Sequence, residues 1–272
     1  MRNRILFCGI TAIALAISCS QNPFTGKQTL ALVPNSEILP SAFAQYGAFL
    51  KENKVISGTA DANRVVNVGT KIKNAAEKWL DANGYKGYLK DYQWEYKLVE
   101  NKQVNAWCMP GGKIVVYSGI LPITKDEAGL ATVLGHEVSH ALANHGQQRM
   151  SAGLLQQLGG AGVAVATGGK SQETQQLAMT AYGAVTQIGG MLPFSRNHET
   201  EADQIGLTLM AIAGYNPEEA IVFWSRMSKA SGGGAPPEFL STHPSDATRI
   251  SNLKKLVPIA KAEAAKFGVV FK

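Results

Sequence analysis

The chain has 272 residues, of which 45% are hydrophobic and 17% charged, so it can bury a full core and is not a disordered chain. Its length suits one large domain or two small ones. The formal net charge is +6, or +4 without Arg2 and Arg4, and no Lys/Arg block interrupts the chain, which argues against a nucleic-acid footprint.

Residues 1–18 read as an export signal. Arg2 and Arg4 precede a short apolar run, Ile5 to Ile17, too short for a comfortable membrane span. The run ends in Ala16-Ile17-Ser18-Cys19, which resembles a bacterial lipoprotein signal with Cys19 as the acylated first residue, although Ala16 stands where leucine is usual. Ser20 carries no acidic retention signal, which points to the outer membrane. With Cys8 inside the signal and Cys19 acylated, Cys108 has no partner, so no disulfide is expected. Residues 19–35 read as a tether and 36–272 as the domain.

Helices are expected over 36–53 and 60–82. In the second, Val65, Val66, Val68, Ile72, Ala75, Ala76 and Leu80 recur at helical spacing, and Asn83-Gly84 ends it. Residues 92–99, 103–108 and 113–117 then read as strands of a small sheet, with a turn at Pro110-Gly111-Gly112.

The next stretch carries His136-Glu137-Val138-Ser139-His140 inside an apolar run. On a helix the two histidines lie one turn apart on one face and can address a single metal ion. Glu137 sits about 100° round the helix, where it can act as a general base rather than a ligand. Thr124-Lys125-Asp126-Glu127 reads as a capping box opening this helix, and Gly146 as its stop. Residues 147–192 are rich in Gly and Ala. They read as two packed helices with a mobile crossover, broken at Gly159-Gly160 and Gly168-Gly169, with a membrane-touching or gating element as the alternative.

A further helix is expected over 193–213. A catalytic zinc needs a third protein ligand and an open position. Glu199 can supply that ligand, with Glu201 as its rival. Asp203, one turn after Glu199, can accept the second ring N–H of a ligand histidine. His145 and His198 are expected at the surface. Asn216-Pro217-Glu218-Glu219 opens a helix running to about Ala230. Residues 231–237 form a glycine- and proline-rich loop. His243 follows in Thr242-His243-Pro244, before a helix capped by Ser245 or Asp246, and can reach over the metal to stabilise an oxyanion. Asn105 and Ala106 can present an edge strand to an extended peptide.

Taken in order, Asn105-Ala106-Trp107, Gly111-Gly112, Tyr117-Ser118-Gly119, Gly135-His136-Glu137-Val138-Ser139-His140, Ser195-Arg196, Glu199-Thr200-Glu201-Ala202-Asp203 and Thr242-His243-Pro244 resemble one family. It is the gluzincin zinc metallopeptidase family of the CAAX prenyl endopeptidases, HtpX-like and Oma-type proteases. The likeness covers roughly 36–257 and is nearest to the small periplasmic lipoprotein branch, the LoiP/BepA-like peptidase domain. It implies an α+β, mostly helical, zincin-like domain whose small sheet lays an edge strand beside the His-Glu-x-x-His helix. It implies one Zn2+ held by His136, His140 and Glu199, which selects Glu199 over Glu201, and a role for His243 in catalysis or in occluding the site. The expected activity is cleavage of exposed or misfolded envelope polypeptides, with Glu137 as general base and Asp203 orienting a ligand histidine. The expected place is the bacterial envelope, tethered through Cys19 to the outer membrane and facing the periplasm, with outer-membrane assembly machinery as a partner and no nucleic acid. The rival class is a zinc-bound but proteolytically silent chaperone or adaptor.

Overall fold

The computed structural model describes residues 19–230, 237–243 and 247–271. The expected signal peptide, most of the 231–237 loop and the caps Ser245 and Asp246 lie outside the described residues. The chain divides into two compact units, the first comprising the described residues up to Ile38 with Asn144–His198, the second Leu39–Ala143 with Glu199–Lys272.

In the first unit, strands β1 (Cys19–Gln21) and β2 (Gln28–Leu30) pair antiparallel, with Cys19 opposite Leu30. The turn closes through Asn22 and through Gly26 at φ +69°, a conformation glycine adopts without strain. The segment after β2 is fastened to helix His145–Thr167: the Leu32 N–H donates to Ser151 Oγ at 3.0 Å, and Gln147 Nε2 donates to the Val33 carbonyl at 2.8 Å. Much of the expected tether is therefore an ordered hairpin, because its backbone polar groups find partners in each other and on that helix.

The glycine-rich stretch does form two packed helices, but Gly159-Gly160 break neither. The first helix runs through them, and Gly159 is where the Tyr182 side chain comes closest, leaving no room for a Cβ. The Tyr182 hydroxyl donates to the Gln156 carbonyl at 2.8 Å. The chain reverses instead at Gly168, and Ser171 caps the second helix, Gln172–Thr186, by accepting from the Thr174 N–H. The crossover is a short hydrogen-bonded turn, closed by Lys170 N–H to the Thr167 carbonyl at 2.8 Å.

The second unit holds a four-stranded sheet of order β3-β4-β6-β5 (Val55–Ile56, Glu95–Val99, Lys113–Tyr117, Ala106–Met109). β4 and β6 run parallel, and β5 returns antiparallel on the outside of β6. The hairpin between them needs two left-handed glycines, Gly111 at φ +82° and Gly112 at φ +84°. β5, expected as part of a small sheet, lies at its edge and packs beside the motif helix.

We number the helices in chain order. α1 is Asn35–Glu52 and α2 is Ala60–Ala82, matching the expected spans. Thr59 caps α2 by accepting from the Ala62 N–H at 3.2 Å. Its periodic face is buried as expected except Val66, which turns outward. α3 (Leu121–Thr124) leads through Lys125, at φ +64°, into α4 (Glu127–Leu142), the motif helix. The cap of α4 is Asp126, accepting from Gly129 N–H at 2.9 Å, and not Thr124, whose hydroxyl is turned back to Leu121 within α3. α4 also stops before Gly146, because Asn144 takes the left-handed conformation at φ +54° and starts the next helix. The Gly/Ala-rich pair are α5 (His145–Thr167) and α6 (Gln172–Thr186), followed by a π-helical turn, Gln187–Met191. α7 (Leu192–Ile212), α8 (Glu219–Ala230), α9 (Glu238–Thr242) and α10 (Ala247–Ala265) complete the chain. Among the described residues no helix is long and apolar enough to cross a membrane.

α2 lies on β4 and α4, and its closest approach is at Gly69, where the Tyr96 ring occupies the space of a side chain. Gly69→Ala should therefore cost roughly 1–3 kcal/mol, the usual range for overpacking. The check is a lower denaturant midpoint at unchanged metal binding.

Candidate active site

α4 is buried along nearly its whole length, from Gly129 to Leu142. Its histidines must therefore find partners inside the protein. The ring centroids of His136 and His140 are 4.7 Å apart, and their Nε2 atoms face each other at 3.1 Å. α7 brings Glu199 to the same point, with Oε2 at 3.2 Å from His136 Nε2 and Oε1 at 3.3 Å from His140 Nε2. Helices approach this closely only where side chains are missing. A Cβ on Gly135 would lie 2.9 Å from the Gly206 carbonyl oxygen, and one on Gly206 would lie 3.0 Å from the His136 nitrogen.

His243, at the end of α9, completes the group. Its Nδ1 lies 2.9 Å from Glu199 Oε2 and 3.1 Å from His136 Nε2, and its Nε2 is 3.4 Å from Glu137 Oε1. His136, His140, Glu199 and His243 each offer one donor atom within 4.8 Å of all the others. A tetrahedral ion with bonds of about 2.0–2.1 Å has ligand atoms about 3.3 Å apart. The observed spacings fit a set that could hold one such ion. Glu137 is buried beside the group, and Glu201, though buried, is not one of the four.

Asp203 meets the other side of His136, with Oδ1 at 3.0 Å from Nδ1. A carboxylate there fixes a proton on Nδ1, so Nε2 is the nitrogen that faces the cluster. Burial lowers the pKa of His136, but the hydrogen bonds to Asp203 and Glu199 outweigh it and lift it to about 9. Burial would raise Glu199, yet hydrogen bonds from His136, His140 and His243 hold its carboxyl far below the usual range. Burial acts the same way on Asp203, where the Arg249 charge leads the opposing effects and keeps the carboxyl low.

Arg249 was not singled out in the sequence. From α10 it grips Asp203 with two charge-assisted bonds, Nη2 to Oδ1 at 2.6 Å and Nε to Oδ2 at 2.8 Å. Its guanidinium stacks 3.6 Å from the Trp224 ring centroid. Nη1 also lies 3.4 Å from the His243 carbonyl oxygen and 3.5 Å from Glu199 Oε2. No local pattern marks it, since an arginine six residues after His243 reads as a surface residue of a helix.

Asn105 precedes β5. Its carbonyl accepts from the Tyr117 N–H at 3.0 Å, and its side-chain oxygen accepts from the Ala106 N–H at 2.9 Å. By the alternation of an antiparallel ladder, the main-chain groups of Ala106 point away from β6. Beside them the Val104 carbonyl accepts from Phe239 N–H at 3.0 Å, so α9 borders this edge. Cys19 lies exposed on β1. His145 and His198, expected at the surface, are instead buried in the first unit with rings stacked at 4.0 Å, and His198 Nε2 faces Gln148 Oε1 at 3.1 Å. Stacking two flat rings removes both from water, which a reading of polarity alone does not anticipate.

A mostly helical unit, a small sheet with its edge beside a His-Glu-x-x-His helix, and a glutamate from a later helix define a zincin-like metallopeptidase domain. The model of Peptidase family M48 matches residues 70–257, and the chain belongs to that family. It is 36% identical over 205 residues to the mitochondrial metalloendopeptidase OMA1 of Saccharomyces cerevisiae, covering 72% of this chain and 56% of the relative. It is 30% identical over 268 residues to the mitochondrial metalloendopeptidase OMA1 of Bos taurus, covering 94% and 50%. It is 32% identical over 266 residues to the beta-barrel assembly-enhancing protease of Yersinia pestis, covering 89% and 53%. The chain thus spans about half the length of the curated relatives it matches.

Two outcomes check this geometry. Gly206→Ala should separate α7 from α4 and lower the metal retained on dialysis, whereas Gly47→Ala, in open space, should not. Arg249→Met should weaken metal affinity by about 10- to 100-fold, the range for partners that orient ligands, as read by competition with a chelating dye.

Proposed function

We propose that this chain is a zinc-dependent endopeptidase acting on extended segments of other proteins. The observation that carries the reading is the convergence of His136 Nε2 and His140 Nε2, 3.1 Å apart, with the Glu199 carboxylate, whose Oε2 lies 3.2 Å from the first and Oε1 3.3 Å from the second, and with the buried Glu137 carboxylate near His243. His136, His140 and Glu199 are the ligands in this reading. Zinc, when bound, supplies a Lewis acid that polarises the scissile carbonyl and makes a water acidic near neutral pH. Glu137 accepts the proton of the attacking water and delivers it to the leaving amine. Asp203 holds the proton on His136 Nδ1, so that the opposite nitrogen stays available as a donor. The outward carbonyl of Ala106, at the edge next to Asn105, pairs with the substrate backbone, and the Ala106 N–H joins it once released from Asn105 Oδ1, which fixes an extended peptide without selecting one sequence.

His243 has two uses in this reading. With Nδ1 inside the donor set it closes the site at rest. Once displaced by substrate, it lies where it can donate a hydrogen bond to the developing oxyanion. The closed geometry is also the one observation favouring the second reading, a zinc-bound adaptor that does not cleave. For the biological setting we propose the bacterial envelope, with Cys19 acylated as an outer-membrane anchor facing the periplasm. Unfolded envelope proteins are then the substrates, and the outer-membrane assembly machinery is the partner. The name of the Yersinia pestis relative supports that setting, and the mitochondrial relatives support the peptidase chemistry alone.

The test is cleavage of an unfolded protein by the zinc-loaded chain. Glu137→Gln should keep its zinc and lose about 10²- to 10⁴-fold in turnover, the range for a general base; loss of zinc in that variant would undo the separation of ligand from base. His243→Ala should keep its zinc, with a lower KM because the site stands open and a lower kcat because an oxyanion donor is lost. A variant that loses both zinc and activity would make His243 an obligatory ligand, and intact zinc with no cleavage in any form would favour the adaptor.

A further inference from the structure

The α5–α6 hairpin has a surface that the chemistry above does not use. Large apolar side chains stand exposed along it, with Leu158 at 60%, Val165 at 84%, Leu177 at 69% and Val185 at 70%. Met150, Leu154, Leu158 and Val165 fall within about 80° of one another on α5, given 100° per residue, and so form one stripe. Between Met150 and Phe194 only Lys170 and Glu173 are charged, and both lie at the tip of the hairpin.

Some of its polar side chains are bonded within the hairpin, while Gln157, Gln172 and Gln176 stay exposed. The hydroxyls of Thr167, Thr180 and Thr186 donate to the carbonyls of Val163, Gln176 and Tyr182, four residues back on their own helices. Gln156 Nε2 donates across the hairpin to Thr186 Oγ1 at 2.8 Å.

We infer that the α5–α6 hairpin docks on the surface of a neutral lipid bilayer, with the α5 stripe and the outer aliphatics of α6 entering the boundary between headgroups and chains. An apolar helix face lying in that boundary reaches about 5–10 Å deep. A protein partner fits less well, because protein interfaces carry a polar and charged rim around their apolar centre, and the charges of this hairpin are confined to Arg149 at its base and Lys170 and Glu173 at its tip. The absence of a basic stripe sets the lipid class, since attraction to anionic lipid requires Lys or Arg near the surface. β1 and β2, fastened to α5 in the same unit, put Cys19 on the unit that meets the lipid. The hairpin contact nevertheless does not depend on Cys19 being acylated, nor on peptidase activity.

The experiment uses the full chain with Cys8 and Cys19 replaced by serine and an environment-sensitive dye on Val165→Cys. The same background without the introduced cysteine gives the Cys108 baseline. With phosphatidylcholine vesicles carrying a chain-attached quencher, the dye at 165 should shift to the blue and be quenched, equally at low and high salt. A dye on Lys86→Cys, exposed in the second unit, should do neither. Adding Leu158→Lys and Leu177→Lys, both surface changes, should abolish the shift at an unchanged melting temperature. A dye at 165 that stays in water, whether or not the chain binds vesicles, overturns the inference. So does a blue shift without lipid that grows with protein concentration, which would assign the face to a second copy, and so does binding that requires anionic lipid and vanishes in salt.

Discussion

Two helices can bring a carboxylate and two imidazoles within hydrogen-bond distance of one point only if their backbones nearly touch. In this protein they do so at Gly135 and Gly206, where neither residue has room for a Cβ against the other helix. The donor cluster follows from that contact. His136 and His140 follow Gly135 along α4, and Glu199 and Asp203 lie two turns and one turn before Gly206 on α7. Had either glycine carried a side chain, the helices would stand apart by the thickness of a methyl group, and the cluster would open by a comparable amount.

A cluster so buried raises a second constraint, which is charge. Isolated carboxylates out of water are strongly disfavoured, and the usual remedy is a paired and hydrogen-bonded partner. Asp203 obtains one in Arg249, held flat against Trp224. The same arginine bridges three separated parts of the chain: α7 through Asp203, α9 through the His243 carbonyl, and its own helix α10. The orientation of His136 and the position of His243 are thereby coupled through one side chain. That coupling gives the arrangement of the cluster a physical basis beyond the clustered side chains themselves.

The two compact units divide the labour differently. The second carries the whole donor cluster, the orienting pair and the edge strand, and most of its polar side chains near the site are spent on one another. The first is built on small residues and aliphatics. Some of its polar groups bond across the hairpin, and several of its large aliphatics are left outside. A surface composed in this way calls for an apolar environment, just as the donor cluster calls for a cation.

Local chemistry determined a good deal by itself. A four-residue spacing on a helix aligns two side chains regardless of tertiary context, so His136 and His140, and likewise Glu199 and Asp203, were legible as pairs in the sequence. The spans of α1 and α2 and the glycine turn before β6 were legible for the same reason. That Glu199 and not Glu201 reaches the cluster follows from which face of α7 meets α4, a property of packing and not of spacing. Tertiary structure also decided the cap at Asp126, the stop at Asn144 and the unbroken run of α5 through Gly159-Gly160, where glycine serves a close contact with Tyr182 instead of a break. It alone revealed Arg249 and the buried stack of His145 on His198, since both depend on partners far away in the chain. A sequence shows which residues share a face of one helix; only the packed fold shows what that face meets.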